Sequence, residues 1–312
     1  MVVSGFNPGE KADDAQMMCA DAPNQLTSIP SIPMPFSASP PAASAVHSAV
    51  ALARDLWDGA LDLVFAPVCV ACREPISTSS PERLVCGLCW LKCRPLPVPR
   101  CVRCWSPVPP DRPPAPTCRT CAEWPPSIRA IRSAYAIGQV PRALVHALKY
   151  RGWEAVAAPM AARMAALELP PDAAAEAELV VPVPTSAARL RERGYNQAEL
   201  LARGMARISG RALAPGLLER TRASGSQTAL HPTERRANVA RAFAVPPGRA
   251  AELCGEHVIV VDDVWTTGAT SLACVSALLE AGARIASVVT FARVVPELER
   301  AVAPAPGVLT DP

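Results

Sequence analysis

The 312-residue chain is poor in three things. Aromatic residues make up only 4% of it. Single-strand nucleic-acid binders stack bases on aromatic rings, so this scarcity argues against an extended stacking platform. Lysine is also scarce. Lys11, Lys92 and Lys149 are the whole set, and arginine carries nearly all the positive charge. None of the three follows a glycine, so a Gly-Lys-Ser/Thr phosphate loop is missing and a P-loop ATPase is excluded. Long apolar runs are the third absence. None reaches the roughly 18 residues of a membrane span, so no membrane insertion is expected. The N-terminus lacks the basic start and apolar core of a secretory signal. A cytoplasmic, reducing location is therefore expected. The net charge of +3 is too small to argue for nucleic acid alone.

Proline and cysteine are plentiful. The 35 prolines far exceed the usual level of roughly 5%, so part of the chain must be linker. Residues 1–50, rich in Pro, Ser and Ala, are expected to be disordered, as is the tail 296–312. A short helix is expected over 51–64, within an amphipathic pattern from Ala45 to Val64 that carries Leu52, Leu56, Leu61 and Val64.

Eight cysteines fall within 65–125. Cys69-x2-Cys72 and Cys86-x2-Cys89 are separated by 13 residues, and so are Cys101-x2-Cys104 and Cys118-x2-Cys121. The doubled spacing is an internal repeat. Two such pairs supply the four thiolates of a tetrahedral Zn²⁺ site. A segment this short, with few large apolar side chains, needs metal to hold a fold. A double zinc ribbon with two structural Zn²⁺ sites follows, and no catalytic metal is implied there. Sequential pairing is preferred; a cross-brace joining the first pair to the third is the rival. Cys93 falls outside the repeat, as do Cys19, Cys254 and Cys274. The last two read as small core hydrophobes.

From residue 126 to 295 strands alternate with helices. Strands are expected at Ser133–Ile137, Leu179–Val183, Val258–Val261 and Ala286–Ala292. Helices are expected at Val140–Lys149, Val156–Leu167, Gln197–Ile208, Glu234–Ala242 and Ser271–Ala281. This alternation predicts an α/β domain with a parallel sheet flanked by helices, whose ligand sits at the carboxyl ends of strands. The run Val258–Val261, then Asp262-Asp263, then Thr266-Thr267-Gly268-Ala269-Thr270 reads as strand, acids and a loop opening a helix. Amides at a helix start and nearby hydroxyls converge on phosphate. Carboxylates accept hydrogen bonds from sugar hydroxyls. The pattern predicts a ribose-5-phosphate ligand.

The segment resembles the phosphoribosyl-diphosphate (PRPP) signature of type I phosphoribosyltransferases. With Leu148-Lys149-Tyr150-Arg151-Gly152, Val181-Pro182-Val183-Pro184, Arg193-Gly194-Tyr195-Asn196-Gln197 and Arg235-Arg236-Ala237-Asn238-Val239 in this order behind the cysteine pairs, residues 62–295 resemble the ComF family. That resemblance implies a type I phosphoribosyltransferase fold behind the double zinc ribbon. It implies PRPP and Mg²⁺ as ligands, transfer of ribose 5-phosphate to an unidentified acceptor, and a role linked to DNA uptake in natural transformation. Thr266 to Thr270 would hold the 5-phosphate, and Asp262 and Asp263 the ribose hydroxyls. Lys149, Arg193, Arg235 and Arg236 are candidates for pyrophosphate, with Ser224–Thr228 resembling a mobile loop. An alternative is a PRPP- or nucleotide-sensing module whose zinc ribbons and arginines contact single-stranded DNA or a competence partner.

Overall fold

The computed structural model describes residues 67–77, 83–108, 117–221 and 242–296. The expected 1–50 and 51–64 segments, the Glu234–Ala242 helix except Ala242, Ser224–Thr228, Arg235, Arg236 and the 296–312 tail except Pro296 lie outside the described residues.

Two cysteine-built modules open the described chain. In the first, the helix α1 (Gly87–Lys92) starts at the second cysteine pair. In the second, α2 (Arg119–Ala122) does the same. Backbone hydrogen bonds at the first cysteine pair recur at the third. Cys69 N–H donates to Glu74 O at 2.8 Å and Cys101 N–H to Ser106 O at 2.9 Å. Arg73 and Trp105 close matching turns onto Cys69 and Cys101, both with positive φ. The sequence repeat is thus a structural repeat.

The α/β body follows. Its elements are β1 (Ile128–Ala136), α3 (Gln139–Tyr150), a 3-10 turn at Glu154–Val156, α4 (Ala157–Ala165), α5 (Pro171–Glu176) and β2 (Ala177–Pro182). Then come α6 (Ala187–Arg193), α7 (Gln197–Ser209), β3 (Ala212–Leu213), β4 (Glu219–Arg220) and β5 (Phe243–Ala244). A 3-10 helix at Pro247–Leu253 leads into β6 (His257–Trp265), α8 (Ala269–Glu280) and β7 (Ile285–Arg293). Among the described residues five strands form one sheet in the order β1-β7-β6-β2-β3, every pairing parallel. The expected mixed α/β class with a parallel sheet is what the chain adopts.

Both faces of the sheet are covered, which explains the unbroken apolar run Val258–Val261. Ile259 and Val261 pack with Leu144, Leu148, Met160, Leu201 and the first cysteine module. Val258 and Val260 pack with Leu253, Val275, Leu278 and the second module. The cysteine modules therefore share the body's cores. They also cover the open edge of β1. Ile131 N–H donates to Arg103 O and Ala136 N–H to Arg94 O, each at 2.9 Å. An edge strand left bare would invite pairing with another chain.

β1 is longer than the expected Ser133–Ile137. Arg129 and Arg132 hide the first half of the strand from a hydrophobicity reading. Arg132 is buried, and its guanidinium donates to the carbonyls of Glu168, Arg103 and Val102. Burial, with Arg100 nearby, pushes its pKa down to about 10. Helices α5 and α6 were not expected; both are short, and α6 buries no residue.

Candidate functional site

β6 runs four residues beyond its apolar core. The sequence places Asp262 and Asp263 after the strand, but they lie inside it. β7 continues alongside, pairing Asp262 with Thr290 and Trp265 with Arg293, so the ladder has no reason to stop. Consecutive strand residues point to opposite faces. The two carboxylates are therefore split. Asp263 is buried and faces α3, where Lys149 Nζ lies 2.9 Å from its Oδ2. That contact is close enough for an ion pair but poorly aligned as a hydrogen bond. Asp262 turns toward α8. Its Oδ2 sits 3.5 Å from Ser271 Oγ, and its Oδ1 accepts from Asp263 N–H at 2.8 Å. Burial, then the neighbouring Asp263 charge, pushes the Asp262 carboxyl up to about 7.

After Trp265 the chain turns into α8. Thr266 and Thr267 are exposed, Gly268 is the N-cap, and Ala269 and Thr270 already belong to the first helical turn. Gly268 has φ near +80°, and a Cβ there would meet the Trp265 ring at 2.1 Å. Only glycine fits, on conformational and steric grounds together. The turn lies directly on the indole. It leaves the Thr266, Thr267 and Thr270 side chains facing solvent beside the two acids.

The Arg193–Gln197 motif shapes the neighbouring wall. Arg193 is the last residue of α6, and Gly194 closes that helix in the left-handed region. The Arg193 guanidinium stacks 4.7 Å from the Tyr150 ring centroid and donates to Gln197 Oε1 at 3.0 Å. Its Nε is buried without a hydrogen-bond partner among the described residues. Tyr195 Oη donates to Leu148 O at 2.5 Å. Asn196 caps α7 by accepting from Ala198 N–H at 3.2 Å, and donates to Val183 O at 3.0 Å. This single motif ties the end of α3, the residue after β2 and the start of α7 into one frame.

The structure thus brings Lys149, Asp262, Asp263 and the Thr266–Thr270 turn to one end of the sheet. Arg193 stands on Tyr150, the residue next to Lys149. Arg235 and Arg236 lie outside the described residues. Sequence reasoning assigned no part to Trp265, Ser271, Tyr150, Tyr195 or Asn196. Tyr195 and Asn196 stand in a quoted motif, and a polar pair before a helical period is a capping signal that could have flagged Asn196. Trp265 gave no signal, because its contact is with a glycine three residues on.

The eight repeat cysteines form two groups, Cys69/Cys72/Cys86/Cys89 and Cys101/Cys104/Cys118/Cys121, with all sulfurs in each within 4.8 Å of one another. Pairing is sequential, and the cross-brace is ruled out. The Cys72–Cys86, Cys101–Cys121 and Cys104–Cys118 sulfurs are 3.8, 3.8 and 3.7 Å apart. A tetrahedron with Zn–S near 2.3 Å has edges of about 3.8 Å, so both groups could hold zinc. Cys86 and Cys118 amides donate to the Cys69 and Cys101 sulfurs, each at 3.3 Å. Burial raises the Cys69 thiol pKa, but amide hydrogen bonds from Cys72, Cys86 and Ala71 outweigh it and bring it down to about 7. Such bonds favour thiolate. Cys274 is a buried core thiol as expected. Cys254, expected in the core as well, is only half-buried.

No family model matches the chain. The DNA utilization protein YhgH of Salmonella typhimurium (strain LT2) is 30% identical over 226 residues, covering 69% of this chain and 92% of that protein. The chain belongs to the ComF family. The ComF chain is also 27% identical to the YhgH protein of Escherichia coli (strain K12) over the same length. It is 34% identical to Competence protein F of Haemophilus influenzae over 93 residues, or 30% of this chain and 40% of that protein. Among solved structures, an allosteric regulatory enzyme of purine biosynthesis overlaps 47% of this chain and 26% of its own at a TM-score of 0.28 and 26% identity. The glutamine PRPP amidotransferase of B. subtilis overlaps 46% and 26% at a TM-score of 0.28 and 25% identity. No helix among the described residues is long and apolar enough to cross a membrane.

Proposed function

We propose that this ComF-family chain is a cytoplasmic, Mg²⁺-dependent phosphoribosyltransferase. It binds PRPP at the carboxyl end of β6 and passes ribose 5-phosphate to an unidentified acceptor. The bond from the anomeric carbon to pyrophosphate breaks, the bond to the acceptor forms, and pyrophosphate leaves with the electron pair. The observation that carries this reading is the Gly268 turn on the Trp265 ring, opening α8 beside a split pair of acids. Thr266 and Thr267, with Gly268, Ala269 and Thr270, take the 5-phosphate through hydroxyls and first-turn amides. Asp262 and Asp263 take the ribose hydroxyls from opposite sides of the strand. Lys149 holds the Asp263 carboxylate in place. Arg193, with its unpaired buried Nε, and Arg235 and Arg236 are assigned to the pyrophosphate.

The donor set fits Mg²⁺. Lys149 pairs with Asp263, while burial first and the Asp263 charge second push Asp262 up to about 7, so a cation beside Asp262 would favour its ionised form. When bound, Mg²⁺ would neutralise developing charge on pyrophosphate, held mainly by substrate oxygens and water with Asp262 beside it. Calorimetry of the wild type should detect Mg²⁺-dependent PRPP binding that the Asp262→Asn/Asp263→Asn double variant loses. A folded wild type that binds no PRPP defeats this reading. A screen of nucleobases and amines, scored by pyrophosphate release, then finds the acceptor.

One observation favours the alternative, a PRPP-sensing module that contacts single-stranded DNA. Tyr150, next to Lys149, is 59% exposed and carries the Arg193 guanidinium on its ring, an aromatic–arginine pair at the edge of the site. The relatives' names, DNA utilization and competence, suit a role in DNA uptake for either reading. Binding of single-stranded oligonucleotide that weakens steeply with salt supports the module. No binding at low salt ends it.

A further inference from the structure

The Trp265 indole under the Gly268 turn packs against the second cysteine module, and we propose that metal in that module sets the affinity of the turn for phosphate. Trp265 is the positioning residue between them. Gly268 rests on its indole so closely that a Cβ would fall 2.1, 2.5 and 2.7 Å from three ring atoms. The other partners of that ring are governed by the module. Trp124, just past the Cys118–Cys121 pair, meets it edge to face with centroids 6.3 Å apart. Arg293 lies 5.2 Å from its centroid and donates to Cys104 O. Trp124 is itself held, because Arg103 donates to Trp124 O at 3.2 Å and to Cys121 O at 2.6 Å. The chain of contact runs from Cys104 and Cys121 through Arg293 and Trp124 to Trp265, and from there to Gly268. Among the described residues the first module shows no such route. Its Trp90 packs on Tyr135 and Phe291, on the face away from α8.

A flat ring under the turn fixes the glycine at φ near +80° and with it the direction of the first-turn amides. Loss of metal from the second cluster frees Cys121 and Trp124, lets the ring move, and loosens the amide cradle. Coupling of this kind is reciprocal: if metal in the module tightens phosphate binding, bound phosphate must tighten metal by the same factor.

The inference rests on PRPP as the ligand of the turn, and its test separates the two. The zinc-loaded full chain is titrated with PRPP and Mg²⁺, and zinc is competed off at equilibrium with a chelator with and without PRPP. Alkylation of freed cysteines, read by mass spectrometry, assigns the module. PRPP should raise zinc affinity about tenfold at Cys101/Cys104/Cys118/Cys121 and leave the first cluster unchanged. Trp265→Leu should weaken PRPP about tenfold and abolish that protection, while Trp265→Phe, which keeps a ring, restores both. If the wild type binds PRPP but neither cluster gains zinc affinity, or Trp265→Leu binds PRPP like wild type, the coupling is wrong. A wild type that binds no PRPP removes the reading beneath it, and the inference falls with it.

Discussion

Gly268 and Asp262 carry the most specific expectations at the scale of single residues. Gly268→Ala must strain a φ near +80° and displace Trp265. The cost in stability should be about 1–3 kcal/mol, and PRPP binding should fall below detection; thermal melts and calorimetry on one preparation measure both. Asp262 titrates upward from the usual carboxylate range to about 7. Its folded pKa is raised, so the folded state holds the proton more tightly than the unfolded chain. The stability this gives is full below about pH 4 and is lost as pH rises through about 7. Asp262→Asn should therefore melt higher than wild type at pH 8 and no higher at pH 4, provided no divalent cation is present. With ligand the sign turns: Mg²⁺–PRPP binding by wild type should strengthen from pH 6 to pH 8 as Asp262 ionises. A flat profile in wild type would remove Asp262 from the binding set.

At the scale of elements, the packing explains which motifs were legible. Capping residues and apolar periods are local, so α7 was expected at Gln197–Ile208 and found at Gln197–Ser209. Its Asn196 cap also reaches Val183 O. Asn196→Ala should cost about 1–2 kcal/mol, a shift in melting temperature of several degrees, and should weaken PRPP by moving the wall that holds Arg193. The length of β6 was not legible. Asp-Asp reads as the end of a strand, yet a neighbouring strand of equal length keeps the ladder going. The same holds for β1, where buried Arg132 mimics a surface residue because its partners are carbonyls from distant segments.

At the scale of the whole molecule, the cysteine modules and the sheet are one packed body. Both clusters contribute to the cores on either face of the sheet, and Arg94 between them together with Arg103 of the second module caps the β1 edge. Removal of zinc should then destabilise the α/β body along with the modules. Metal analysis should find two Zn per chain, and excess chelator should lower the main melting transition rather than produce a separate early one. A protein with intact thiols, no zinc and an unchanged melt refutes the structural role assigned to the metal.

The sequence by itself determined the α/β class, the doubled cysteine spacing, the acids and the Thr266–Thr270 turn, because periodicity, ligand spacing and helix-start chemistry are written in neighbouring residues. Tertiary structure alone decided that the cysteines pair sequentially, that Asp262 and Asp263 stand on opposite faces, and that Lys149 serves Asp263. It alone set Trp265 under Gly268 and joined that ring to the second module. The physical reason is range: strand alternation becomes meaningful only once the strand's extent is known, and β7, 20 to 30 residues on, sets that extent.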